Sequence, residues 1–205
     1  DYFGPIVVTS TLVTKETRKL LEDLKINDSK KMTDEKIKRC APILMKNIPY
    51  ETRILYNNEF NEWTNKKHYN MNKVKAILHN EVLYILSKKQ EGNYHKIIVD
   101  QFTSPKSYFS YLKQENISDK VTKITFLIKG EQAHLSVAAA SVISRYIFLD
   151  SMNKLSKKYG IELSKGAGDL VNIQGKELVK KYGENTLYSI SKINFKNTQK
   201  ILNNN

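Results

Sequence analysis

The sequence predicts an α/β domain, and three observations carry that prediction. Short, β-branched apolar runs alternate along the chain with longer segments of helical periodicity, the pattern of strands layered with helices. One run, Lys96 to Phe102 (KIIVDQF), is apolar without alternation, as suits a strand buried on both faces. The third is Lys129 to Leu149 (KGEQAHLSVAAASVISRYIFL), which after Glu131 is interrupted only by Arg145 and the titratable His134. Ala133, Val137, Ala140, Ser141, Ser144 and Phe148 fall on one face of that helix, and Leu135, Ala138, Val142, Tyr146 and Leu149 on another. It is apolar nearly all round, so it is read as the core helix. Arg145, His134 and the serines argue against a membrane span, which needs about 20 predominantly apolar residues.

The elements follow in order. Asp1 to Val13 reads as a strand around Ile6, Val7 and Val8, with a bend at Gly4-Pro5. Thr14 caps a short helix through about Asp23, and Asn27-Asp28-Ser29 turns the chain into Lys30 and Lys31. Thr33 opens a helix toward Met45, stopped by Pro49, and Glu51 to Tyr56 alternates as a strand. Asn57 to Asn65 reads as a short helix. Met71 to Lys89 is a long amphipathic one, with Val74, Ile77, Leu78, Val82, Leu83, Ile85 and Leu86 as its buried stripe. After the Gly92-Asn93 break and strand 96–102, Ser104-Pro105 starts a helix ending near Gln114. A strand over 121–128 leads into the core helix. Past Tyr159-Gly160 the text turns loop-like (LSKGAGDLVN), then helical to about Tyr182, then into a basic tail, SKINFKNTQK. No internal repeat or long low-complexity linker divides the chain, so residues 1–205 read as one domain.

The totals bound the function. The 34 Lys and Arg against 21 Asp and Glu give +13, a surface whose natural partners are polyanions. A lysine-rich, asparagine-rich coding bias accounts equally well for part of that excess. The single cysteine, Cys40, excludes an internal disulfide and suits a reducing, cytoplasmic setting. Neither a signal peptide nor a second long apolar run is present. The sequence opens on Asp1 rather than methionine, so an earlier native start is expected.

Asp100 is the first candidate for chemistry. It ends an apolar strand, where α/β sheets place their ligands, and an acid there is costly to bury without a cation; capping the next turn is its ordinary alternative. Glu131 stands at the next strand-to-helix junction, after Lys129-Gly130, where an acid also suits the helix dipole. Adjacent strands could aim both carboxylates at one hard cation such as Mg²⁺, although two-metal chemistry usually draws on more acids. Lys165-Gly166-Ala167-Gly168 offers backbone amides for a phosphate, or simply a turn. Asp28-Ser29-Lys30-Lys31 offers a hydroxyl and two ammonium groups, or a solvated loop. His68, His79, His95 and His134 show no metal-ligand spacing with Cys40, and no P-loop, nucleophile elbow or dinucleotide fingerprint occurs.

Read together, DYFGPIVV, INDSKKM, NKVKAILHN, IIVDQF, KGEQAHLSVAAASVISRYIFL, SKGAGDLV and INFKNTQK resemble bacterial ribonuclease HIII, in order and rough spacing, over almost the whole chain. The resemblance implies a ribonuclease H-like fold, a central mixed sheet with helices on both faces. It further implies hydrolysis of the RNA strand of RNA–DNA hybrids with Mg²⁺ or Mn²⁺, leaving 5′-phosphate and 3′-hydroxyl ends, in DNA replication and repair. Asp100 and Glu131 match two of the family's four catalytic, metal-holding acids. Ser29, Lys30, Lys165, Gly166 and Gly168 match its substrate-binding segments. The other two acids, an Asp-Glu pair, stand in the family just upstream of DYFGP. That pair, its strand and an amino-terminal substrate-binding domain are expected to lie outside these residues. Ile128, Gly130 and Asn172 depart from the family's usual Thr, Ala and Asp; Gly130 is expected to loosen the turn carrying Glu131. A monomer acting on a hybrid duplex, away from membranes, is expected. A non-catalytic hybrid-binding module and a type HII specificity for single embedded ribonucleotides are the alternatives.

Overall fold

The computed structural model describes residues 1–26 and 29–203, with the backbone alone at Glu131. The chain folds into four strands and ten α-helices among these residues. Strand β1 (Ile6–Thr11) is followed by α1 (Lys15–Asp23), a 3-10 turn (Ser29–Lys31) and α2 (Asp34–Asn47). Then come β2 (Tyr50–Leu55), α3 (Asn57–Asn65), α4 (Met71–Lys89), β3 (Ile97–Asp100) and α5 (Pro105–Gln114). The order ends with β4 (Ile124–Leu127), α6 (Gly130–Ala133), α7 (Leu135–Tyr159), α8 (Asp169–Tyr182), α9 (Asn185–Ile190) and α10 (Lys196–Leu202). The predicted α/β class holds.

Local chemistry sets most boundaries. Thr14 and Thr17 form a reciprocal capping box at α1. Thr33, Asn70 and Ser104 accept amides at the starts of α2, α4 and α5, satisfying donors the helices leave open. Gly4 takes a left-handed φ of +79° at the bend before β1, a conformation only glycine adopts freely.

Both pairings of a mixed sheet are present, as two two-stranded sheets. β3 runs parallel to β4, Ile97 beside Ile124 through Asp100 beside Leu127. β1 pairs with β2. The Leu12 amide meets the Pro49 carbonyl and Thr9 Oγ1 meets Thr52 Oγ1 at 2.8 Å, so partner numbers fall as β1 advances, the mark of an antiparallel pair. β3 is less buried than a doubly covered strand: Val99 is buried, whereas Ile97 and Ile98 are only partly so. Its edge away from β4 has no strand neighbour among the described residues.

The chain packs as two compact units. The first, Asp1–Ile6, Ile54–Tyr69 and Ile147–Asn205, is built on Tyr2, Phe3, Phe60, Val171, Leu178 and Ile201, all at most 2% exposed, with α8 against α9 and α10. Here the tail read as merely basic forms α10, anchored by buried Asn197 and Ile201. Buried Lys192 donates to the Asp1 and Gly4 carbonyls at 3.0 and 2.5 Å, and burial lowers its pKa to about 8. The second unit, Val7–Arg53 with Asn70–Tyr146, buries Leu21, Ile37, Leu44, Leu78, Leu112 and Ile143. Buried Asn80 donates to the Asp119 carbonyl and accepts the Val121 amide, fixing the approach to β4.

The central stretch departs from the single helix expected. Lys129 is left-handed, α6 lasts one turn, and His134 is extended before α7 begins. Glu131 therefore lies in the first turn of α6, not of the long helix. Among the described residues α7 alone is long and apolar enough to cross a membrane. Ala138, Ala139, Val142, Ile143, Phe148 and Leu149 are buried in the protein, which makes it a core helix.

Candidate active site

The site is built where β3 ends. Asp100 is the last residue of that strand, and its Oδ1 accepts the Gly130 amide at 2.7 Å. The Gln101 amide holds the Leu127 carbonyl at 2.8 Å, which carries the parallel pairing one residue past the acid. Lys129, at φ +56°, turns the chain so that the first amide of α6 points at the carboxylate. The bond fixes the orientation of the carboxylate at the strand end. A Cβ at Gly130 would meet the Asp100 Cα at 3.4 Å, ordinary contact distance, so the approach does not require glycine. α6 packs against β3, so the backbone of Glu131 is held one residue from the Gly130 anchor; its side chain lies outside the described atoms.

Beside Asp100 opens a cleft of about 1060 Å³, bounded by β1, β3, α4 and the start of α7. Ser29 and Lys30 belong here. Ser29 is buried, with its hydroxyl 2.5 Å from that of Ser141 on α7, and exposed Lys30 lines the cleft with Asp100. Asp28, the turn's first residue, lies outside the described residues. Ser144 donates to Thr9 at 2.9 Å and Thr11 to the Ser136 carbonyl at 2.8 Å, which bolts α7 to β1. The sequence places Ser141 and Ser144 on one face of the core helix. Their hydroxyl role has a signal, two serines three apart on an otherwise apolar helix, but the partners are remote in sequence.

Two cleft residues were not picked out from the sequence. His79 stacks on Phe102 with centroids 4.9 Å apart. Desolvation, then the charge of Lys75, lowers its pKa to about 4, so the ring is neutral at physiological pH. Lys75 sits over the same Phe102 ring at 5.7 Å.

Lys165, Gly166 and Gly168 belong to the other unit. Lys165 and Gly168 are exposed. Gly166, at φ +88°, does not offer a bare amide: its N–H is held by the Asp1 carboxylate at 2.5 Å, and its carbonyl accepts the Tyr2 amide at 2.7 Å. Asn197 donates to the Ala167 carbonyl at 2.9 Å and to Asn172 Oδ1 at 2.6 Å. An aspartate at 172 could accept the same bond. Gln174 braces the preceding loop through the Ser164 amide and the Glu162 carbonyl. These bonds fasten the loop that carries exposed Lys165 to the start of α8.

Among the described residues no three His, Cys, Asp or Glu converge on one point. The donor set that remains suits a hard, largely hydrated cation: a carboxylate anchored through one oxygen can present the other. Mg²⁺ is commonly held by one or two carboxylates with water and substrate phosphate.

A model of the family "Ribonuclease HII" matches residues 1–198. A ribonuclease HIII of Phytoplasma mali is 47% identical over 200 residues, covering 98% of this chain and 68% of the relative. That of Bacillus licheniformis is 44% identical over 201 residues, covering 98% and 63%. This chain thus spans about two thirds of the length of the curated relatives it matches. A crystal structure of Bst-RNase HIII in complex with Mn²⁺ superposes with a TM-score of 0.93 at 38% identity, covering 99% of this chain and 66% of that one. The ribonuclease H2 of Pyrococcus horikoshii, at 22% identity and a TM-score of 0.76, shares the fold.

Proposed function

Because the chain belongs to the ribonuclease HII family of hydrolases, in its ribonuclease HIII branch, we propose that it is the catalytic part of an endonuclease cutting the RNA strand of RNA–DNA hybrids. The observation that carries this reading is Asp100, a strand-end carboxylate fixed by the Gly130 amide at the edge of a cleft with cationic walls. Asp100, with Glu131, the residue that follows its Gly130 anchor on α6, would hold Mg²⁺ or Mn²⁺. When bound, such ions activate an attacking oxygen and stabilise the leaving one, giving 5′-phosphate and 3′-hydroxyl ends. The chain's own residues supply the rest. Gly130 keeps the Asp100 carboxylate oriented. Ser141 holds Ser29, and with it the turn that offers Lys30 and Lys31 to phosphates. Lys165, on its braced loop, offers a third ammonium group. RNA would be told from DNA through the 2′-hydroxyl.

A second reading is a module that binds hybrids without cutting them. Gel-shift and cleavage assays on one labelled hybrid, in Mn²⁺ and in Mg²⁺, separate the two. Cleavage products support the nuclease, binding without products supports the module, and neither result refutes both. A substrate with a single embedded ribonucleotide, compared with an all-RNA strand, distinguishes type HII from type HIII specificity.

A further inference from the structure

We propose, resting on the hybrid-nuclease function, that Lys129 is a substrate-contacting residue whose ammonium takes the backbone phosphate next to the scissile one. Five residues other than glycine have a left-handed backbone among the described residues: Lys25, His68, Glu91, Asn116 and Lys129. The first four follow the ends of α1, α3, α4 and α5, where a left-handed residue is an ordinary way to stop a helix. Lys129 instead stands before a helix, between the end of β4 at Leu127 and the start of α6 at Gly130, with φ +56° and ψ +42°. That conformation aims the Gly130 amide at Asp100 Oδ1. Glycine would adopt it freely, whereas a Cβ crowds the following carbonyl. What lysine adds to the turn is its side chain.

That side chain is placed for a phosphate. Lys129 is exposed, and its ammonium has no ion pair or hydrogen bond among the described residues. It is therefore not spent on Asp100, although its backbone adjoins the amide that binds that carboxylate. Lys75, by contrast, lies over the Phe102 ring at 5.7 Å. A strand whose scissile phosphate meets Asp100 through a hydrated cation passes within reach of the neighbouring ammonium. Lysine offers a compact point charge on a flexible four-carbon stem, which follows a phosphate and ignores base sequence. Ile128 shares this rim. At 78% it is the most exposed large apolar side chain among the described residues, and a duplex seated on Lys129 covers it. Lys129 thus adds one phosphate contact to those of Lys30, Lys31 and Lys165, and does so beside the acid rather than on a separate loop.

The test measures binding of a labelled RNA–DNA hybrid by fluorescence anisotropy, in EDTA so that no cleavage intervenes, over a range of salt concentrations. The parent is compared with Lys129→Met, Lys129→Arg and Lys129→Gly. A contact made by counterion release changes the log–log salt slope by about 0.7–0.9, which is about five- to eightfold in affinity between 1 M and 0.1 M salt. Lys129→Met should therefore bind about five- to eightfold more weakly at 0.1 M salt, with a slope flatter by about 0.7–0.9, and Lys129→Arg should restore both. Lys129→Gly should bind as weakly as Lys129→Met yet unfold in urea at the parent midpoint or above it, because glycine relieves the turn. In the parent, bound hybrid should shield Lys129 from acetylation, read by mass spectrometry. Parent-like affinity and slope in Lys129→Met or Lys129→Gly overturn the proposal. So does failure of arginine to restore them, or equal acetylation of Lys129 with and without hybrid. Where the parent binds the hybrid, such a failure belongs to Lys129 alone. A parent that binds no hybrid overturns the nuclease function, and the role of Lys129 with it.

Discussion

Replacing His79 by phenylalanine should flatten the acid limb of the stability profile. The ring is stacked on Phe102 in the cleft wall, and burial with the nearby Lys75 charge lowers its pKa to about 4. In the unfolded chain it titrates near its ordinary 6.5. Between those values the unfolded state binds more protons, so stability is complete above about pH 6.5 and falls as pH drops toward 4. At about 1.4 kcal/mol per pH unit the full gap is worth about 3 kcal/mol. The ring is partly exposed to the cleft, so water screening reduces this to about 1–2 kcal/mol. Urea unfolding at pH 7.5, 6.5, 5.5 and 4.5 measures it. With a urea m-value of about 2 kcal/mol/M, the parent midpoint should drop about 0.5–1 M further than that of His79→Phe across the range. Phenylalanine keeps the stacking area, so volume changes little. Parallel pH profiles for the two proteins would refute the assignment of a buried neutral imidazole.

Tyr108 is fully buried in the aromatic cluster with Phe102, Phe109 and Phe126, and its hydroxyl has no hydrogen-bond partner among the described residues. Tyr108→Phe should be neutral or stabilise by up to about 1 kcal/mol in urea unfolding, where a satisfied hydroxyl would instead cost stability. Gly130→Ala should fold normally and gain about 0.5 kcal/mol, since the added Cβ finds ordinary contact and restricts the unfolded chain. Gly4→Ala should lose about 2–4 kcal/mol by thermal unfolding, because its positive φ is strained and the Cβ would press on Met152 Sδ at 2.6 Å. Hybrid affinity should fall about 40-fold between 50 and 200 mM salt if Lys30, Lys31 and Lys165 each neutralise one phosphate.

What could be read in the sequence was what local chemistry decides. Thr14, Thr33 and Ser104-Pro105 announce their helices because a cap satisfies neighbours within three residues. α3 and α4 match their expected bounds because their periodicity runs unbroken between caps. Asp100 could be found because an acid closing an apolar run has few purely structural uses. The break at His134 could not, since it follows from the left-handed Lys129 and the Gly130–Asp100 bond, a tertiary contact thirty residues long. α10 was hidden because its one buried apolar side chain, Ile201, which anchors it with Asn197, follows a run, Lys196 to Lys200, that is polar throughout. Ser29 with Ser141, 112 residues apart, and the cleft itself exist only once remote segments meet.

The most direct test of the site compares the parent with Asp100→Asn on a labelled RNA–DNA hybrid in Mn²⁺, measuring binding and cleavage on the same samples. Asparagine keeps the shape and can still accept the Gly130 amide, but it removes the charge that would hold a cation. Losing several kcal/mol of metal stabilisation should lower cleavage about 100-fold or more while hybrid binding stays intact. Cleavage by Asp100→Asn at the parent rate would contradict the assignment of Asp100 as the cation-holding acid.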